Sequence, residues 1–141
     1  MSLIFWDTNL FIYLIEEHPD FSPKVEAIRN SMYRRADRLC TSALTVGEVL
    51  TGPTIRKDRN VLDLYKSILQ PPLVSVLPFA REAADHYAQI RADSSISRAD
   101  AIQLACAAAA SVDLFLTNDA HLNGRYIPGV QFIAGLDNCP L

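Results

Sequence analysis

The clearest local signal is Leu3-Ile4-Phe5-Trp6, four apolar residues that stop abruptly at Asp7. An unbroken apolar run of this length suits a strand buried on both faces. Residues 39–41, 73–77, 114–117 and 130–133 read as strands in the same way. Between these runs lie longer stretches with helical spacing, at about 9–17, 23–36, 45–50, 55–69, 80–92 and 98–110. Pro53, Pro71, Pro72, Pro78, Pro128 and Gly129 mark the joints. Strands that alternate with helices predict right-handed crossovers and a parallel sheet covered by helices on both faces. The last long helix is built largely of alanine (Ala99, Ala101, Ala105, Ala107 to Ala110), which favours helix and lets it lie close against a sheet.

Composition narrows the class. Of 141 residues, half are hydrophobic and 21% are charged, the ordinary balance of a folded chain, and one domain over 1–141 is expected. Three cysteines, Cys40, Cys106 and Cys139, are odd in number and widely spaced, which excludes a disulfide framework and favours a reducing, cytoplasmic setting. No apolar run approaches the ~18 residues needed to cross a bilayer, and no basic stretch precedes the first apolar run, so neither a membrane nor an export signal is expected. The net charge of −3 taken alone argues against a nucleic-acid partner.

The position of the acids changes that picture. In an open parallel sheet, ligands bind outside the carboxyl ends of the strands. Four acids fall at such joints: Asp7 after the first strand, Glu48 in the helix after the second, Asp100 at the start of the alanine helix, and Asp119 after the fourth strand. Each taken singly fits helix capping. Thr45-x-x-Glu48 matches a capping box, Ser97-x-x-Asp100 nearly does, and Asp7 and Asp119 suit helix N-termini. Together they suggest a different role, because carboxylates converging in one cleft repel and stay partly protonated unless a cation neutralises them. Oxygen ligands without His or Cys select hard divalent ions, Mg2+ or Mn2+. Such ions serve hydrolysis at phosphorus. Only five glycines are present, with no phosphate-cradling loop among them.

The same residues resemble the four motifs of PIN-domain ribonucleases, in order. Phe5 to Leu14 looks like their opening strand and helix, and Thr41 to Pro53 is similar to their second acidic motif. Ser97 to Ala105 and Leu116-Thr117-Asn118-Asp119 match the third and fourth. The length suits the small bacterial VapC-type toxins. The resemblance implies a three-layer α/β/α fold with a central parallel sheet of strand order 3-2-1-4-5. It also implies a metal-dependent endoribonuclease acting on single-stranded RNA, often tRNA or rRNA. Asp7, Glu48, Asp100 and Asp119 would then hold Mg2+, with Mn2+ as a substitute, and Asn9 and Thr117 would orient ligands or water. A homodimer and a cognate antitoxin are the partners it implies.

Other residues fall outside this set. His18, His86 and His121 have no metal-ligand spacing among them, although His121 lies two residues past Asp119. The cysteines read as small buried hydrophobes. Arg29, Arg34, Arg35 and Arg38 form one basic group and Arg56, Lys57 and Arg59 another, with Glu26, Asp37, Asp58 and Asp63 close enough to make them solvated helix faces. Arg98, two residues before Asp100, is the candidate phosphate contact. Trp6, Phe11 and Tyr13 read as core or dimer contacts. Two rival readings are a non-catalytic PIN-like binding module, with the acids as caps, and a housekeeping nuclease without an antitoxin. An aspartate-nucleophile phosphohydrolase would want a second acid at Asn9 and is disfavoured.

Overall fold

The computed structural model describes residues 1–141. Five strands, β1 (Leu3–Trp6), β2 (Arg38–Ser42), β3 (Ser75–Leu77), β4 (Leu114–Leu116) and β5 (Phe132–Ala134), form one sheet in the order β3-β2-β1-β4-β5. Every pairing is parallel, with Phe5 opposite Cys40 on one side and Phe115 on the other. This is the strand order and layering that the resemblance implied.

The pleat of β1 explains how four apolar residues serve two cores. Ile4 and Trp6 face one side, where they meet α1 (Thr8–Ile15), α2 (Ser22–Arg35), α3 (Ala43–Arg56) and α4 (Arg59–Ile68). Phe5 faces the other, stacked on Phe115 at 4.8 Å and covered by α5 (Arg81–Arg91) and α6 (Arg98–Ala109). Burial of each such side chain is worth roughly 1.5–3 kcal/mol, which fixes the central strand firmly. The alanines of α6 do what their size allows: Ala101, Ala105, Ala107 and Ala108 are buried, and the helix lies flat against the sheet. No helix is long and apolar enough to cross a membrane.

The expected break at Pro53 is corrected. Helix α3 continues through Pro53 to Arg56, and α4 starts at Arg59 instead of residue 55. Proline removes one backbone donor but stays compatible with a helix when its ring is accommodated, and here the ring is buried in the final turn. The chain turns instead at Lys57, which adopts the left-handed conformation (φ 56°) although it is not glycine. The Asp58 amide then closes on the Pro53 carbonyl at 2.9 Å, and Asp58 caps α4 by accepting from the Val61 amide at 3.2 Å.

The strand order reverses at β1, because α1 to α4 carry the chain to one side of it and α5 and α6 return it to the other. The crevice beyond the carboxyl ends of β1 and β4 is therefore the natural binding position of this topology.

Candidate active site

Asp7 stands at that reversal. Its carboxylate caps α1, with Oδ1 accepting from the Thr8 amide at 2.8 Å, and its Oδ2 accepts from Thr117 Oγ1 at 2.7 Å. Thr117, fully buried at the end of β4, in turn accepts from the Asp119 amide at 3.0 Å. One hydroxyl thus bridges the first acid to the loop that carries the last. Asp7 is only 9% exposed, and burial is the main force raising its carboxyl above the usual carboxylate range. The Thr117 and Thr8 donors pull it back down, and the charges of Asp100 and Glu48 push it up again.

Glu48 reaches the same cleft from α3. Its Oε1 accepts from Thr8 Oγ1 at 2.6 Å, so it is held by the helix that Asp7 caps. The capping-box reading of Thr45 and Glu48 is corrected, because the residue at the start of α3 is Ser42, whose Oγ accepts from the Thr45 amide. Thr45 sits one turn inside, where its hydroxyl faces the interior of the site. Asp100 lies in the first turn of α6, whose cap is Ser97 as expected. Its carboxyl is also raised, first by burial; the Ser97 hydroxyl lowers it, the charge of Asp119 raises it, and His121 lowers it. Asp119 caps no helix, and its Oδ1 accepts from the His121 amide at 2.9 Å to form a tight turn.

All four acids line one cleft of about 160 Å3, together with Thr8, Asn9, Ala99 and Gln103. Seven of these eight residues are polar, unlike the larger apolar hollow between α1, α2 and β3. The cleft contains no His or Cys, so its donor set is oxygen with the Gln103 amide behind it. No three of the acids close into a compact cage by themselves.

Gln103 is the site residue that the sequence pattern conceals. It is 2% exposed, in the middle of α6. Its Nε2 donates to Thr45 Oγ1 at 2.8 Å and to Thr8 Oγ1 at 3.0 Å, while its Oε1 accepts from Ser42 Oγ. Thr41 Oγ1 extends the network, lying 2.8 Å from both the Trp6 carbonyl and Thr45 Oγ1. Because Gln103 donates to Thr8, the Thr8 hydroxyl is left to donate to Glu48. A buried amide therefore aims a hydroxyl at an acid of the cleft. A glutamine within an alanine run is the one cue that could have revealed it.

The remaining candidates take other places. Asn9 is exposed on the cleft wall. Arg98 is exposed at the first position of α6 and has no carboxylate partner. Asn118 donates to Tyr13 Oη at 3.1 Å and so braces the β4 loop against α1. Arg29 pairs with Glu26 three residues away on an exposed helix face, as expected, whereas Arg35 pairs with the buried Asp37 and Arg56 reaches across to Glu16 at the end of α1. The cysteines are free thiols, and burial pushes Cys40 to about 12 and Cys106 to about 11.

Comparisons with known proteins give the family and relatives of the same fold. A family model described as PIN domain matches residues 4–126. A chain of the crystal structure of VapBC2 from Rickettsia felis bound to a promoter DNA fragment is similar in fold, with a TM-score of 0.74 at 17% identity. The match covers 94% of this chain and 98% of that one. DNA-bound VapBC from Salmonella typhimurium is similar at a TM-score of 0.68 and 22% identity, over 96% and 99% of the two chains. VapBC-5 from Mycobacterium tuberculosis is similar at 0.59 and 22%, over 95% and 99%. No curated protein matches in sequence.

Proposed function

The chain belongs to the PIN-domain family, and from that premise we propose that it is a Mg2+-dependent endoribonuclease and the toxin of a toxin–antitoxin pair. The observation that carries the nuclease reading is the convergence of Asp7, Glu48, Asp100 and Asp119, from four separate elements, on one polar cleft at the strand-order reversal. Asp7 and Asp100 are held above the ordinary carboxylate range by burial and by their acidic neighbours, a strain that a bound cation relieves.

In this reading Asp7, Glu48, Asp100 and Asp119 hold Mg2+, or Mn2+ in its place. A cation bound there would supply an acidified water and would neutralise charge on the leaving oxygen. The protein's own residues set the geometry. Thr117 and the Thr8 amide fix both oxygens of Asp7. Thr8, itself oriented by Gln103, holds one oxygen of Glu48 and leaves the other without a protein donor. Water is the nucleophile in this reading, because a cation held by the four acids would bind and acidify it, while the Thr8 hydroxyl serves to hold Glu48. Asn9 on the cleft wall orients ligand or water, and Arg98 contacts a substrate phosphate from the mouth. Single-stranded RNA, of the tRNA or rRNA class, is the substrate. The toxin assignment and the antitoxin partner draw support from the family and from the toxin–antitoxin complexes that share the fold; the homodimer is proposed from the motif resemblance alone.

The test is cleavage of a labelled RNA pool with and without EDTA, by wild type, Asp7→Asn and Asp100→Asn. Cleavage should require the metal and disappear in both variants. Wild-type cutting by Asp7→Asn would overturn the mechanism. A non-catalytic module is separated by a melting experiment, since a saturating cation stabilises a true site by mass action, about 2.7 kcal/mol at a hundred times Kd.

A further inference from the structure

Arg125 lies outside the acidic cleft, yet it bonds to both segments that deliver two of the cleft's acids. It sits in the segment joining β4 to β5, with its side chain 26% exposed. Nη1 donates to Asp93 Oδ2 at 2.8 Å, Nη2 to Ser95 Oγ at 3.0 Å, and Nε to the His121 carbonyl at 2.9 Å. Asp93 uses its other oxygen to accept from the Ser95 amide and hydroxyl, at 3.0 and 2.6 Å. His121 Nε2 lies 2.8 Å from the Ser95 carbonyl and 3.0 Å from Arg125 Nη2, and a single ring nitrogen satisfies one of these two at a time. One planar guanidinium with three fixed bonds therefore ties the α5–α6 turn to the β4–β5 segment.

Both segments lead directly to acids. Ser95 precedes the buried Ile96 and Ser97, the cap of α6, and Asp100 stands in the turn that Ser97 caps. His121 donates its amide to Asp119, and the amide of fully buried Leu122 donates to the Asp119 carbonyl at 3.0 Å. Asp100 and Asp119 repel each other, so segments that move freely would let them drift apart. The partly exposed Arg125–Asp93 pair adds little to folding stability by itself. Its role in holding the acids is thus separable from a role in holding the fold.

We propose that Arg125 is a positioning residue for the cleft, a clamp that fixes the spacing of Asp100 and Asp119 and thereby the affinity for a divalent cation. This rests on the metal-site reading above. The experiment uses the full chain as wild type, Arg125→Ala, Arg125→Lys and Asp93→Asn, titrated with Mn2+ alone by calorimetry, with circular dichroism and metal-free melting in parallel. Metal-free folding should be retained, while Mn2+ affinity in Arg125→Ala falls about tenfold or more, as expected for a residue that orients ligands from behind. Arg125→Lys keeps the charge but loses the forked geometry, so it stays weakened. Asp93→Asn should weaken binding in the same direction, and it carries the test if Arg125→Ala does not fold. Loss of RNA cleavage in these variants should be recovered by raising Mn2+. Folded Arg125 and Asp93 variants with wild-type affinity would overturn the clamp and leave the metal site standing. A wild type that binds no Mn2+ would remove the metal site, and the clamp with it.

Discussion

At the scale of single residues, Asp7 combines two demands that conflict without a cation. It caps α1, which favours its charge, and it is buried beside other acids, which does not. Because its folded-state pKa is raised, the native chain keeps a proton that the unfolded chain releases near 3.8. The native state therefore binds more protons in the window above that value, and stability falls as pH rises through it and stays lower beyond. Asp7→Asn removes the penalty, since its carbonyl can keep the Thr8 cap and its amide can donate to Thr117, whose hydroxyl turns to accept. Metal-free Asp7→Asn should melt above wild type at pH 7, by about 3 °C for each kcal/mol, and level with it at pH 3. Thermal melts at the two pH values check this, and equal melting at pH 7 would contradict it. The acids were legible in the sequence because Asp7 directly follows an apolar strand and the other three stand at or just beyond joints between strands and helices. Gln103 was not, since its partners Thr45, Ser42 and Thr8 lie 58, 61 and 95 residues away. Nor was the Arg125–Asp93 pair, which spans 32 residues between two irregular segments.

At the scale of elements, the buried strands and the alanine helix were readable because their function is written in side-chain size and alternation. The α3–α4 joint was not, because the left-handed turn falls on Lys57, where no glycine advertises it. Two glycines show how differently the same residue type can act. Gly129 has φ +95°, and a Cβ there would come within 3.0 Å of the Ala108 Cβ and carbonyl oxygen, just where α6 ends against the β4–β5 segment. Gly47 lies inside α3, and a Cβ added there would meet nothing within 4 Å beyond its chain neighbours and the local helix backbone. Gly129→Ala should therefore cost about 1–3 kcal/mol, and Gly47→Ala should stabilise by about 0.5–1 kcal/mol. Urea midpoints with unchanged slopes check both, and the opposite signs make the pair diagnostic.

For the whole molecule, the net charge of −3 is no obstacle to an RNA substrate once the acids are located. Four of them gather in one cleft, where two divalent ions would more than cancel the deficit. Two of the three cysteines supply a probe of global integrity. Cys40 lies in β2 and Cys106 in α6, both buried with thiols pushed to about 12 and about 11, so neither is a nucleophile at neutral pH. A small alkylating reagent at pH 8 should modify them at the rate of global unfolding, and mass spectrometry across a urea series should show both becoming reactive together. Rapid native labelling of Cys40 would show that the sheet opens locally. The central place of β1 has one more consequence, for the order of assembly. Strand β1 pairs with Leu114–Leu116, a strand that leaves the ribosome more than a hundred residues later, and the bond from Thr117 to Asp7 closes across 110 positions. Such distant closure slows folding, since chain entropy is lost before the pairing compensates. A nascent chain ending before residue 117 carries three of the four acids but lacks Thr117 and Asp119, so the cleft closes only after β4 and the loop beyond it have been made.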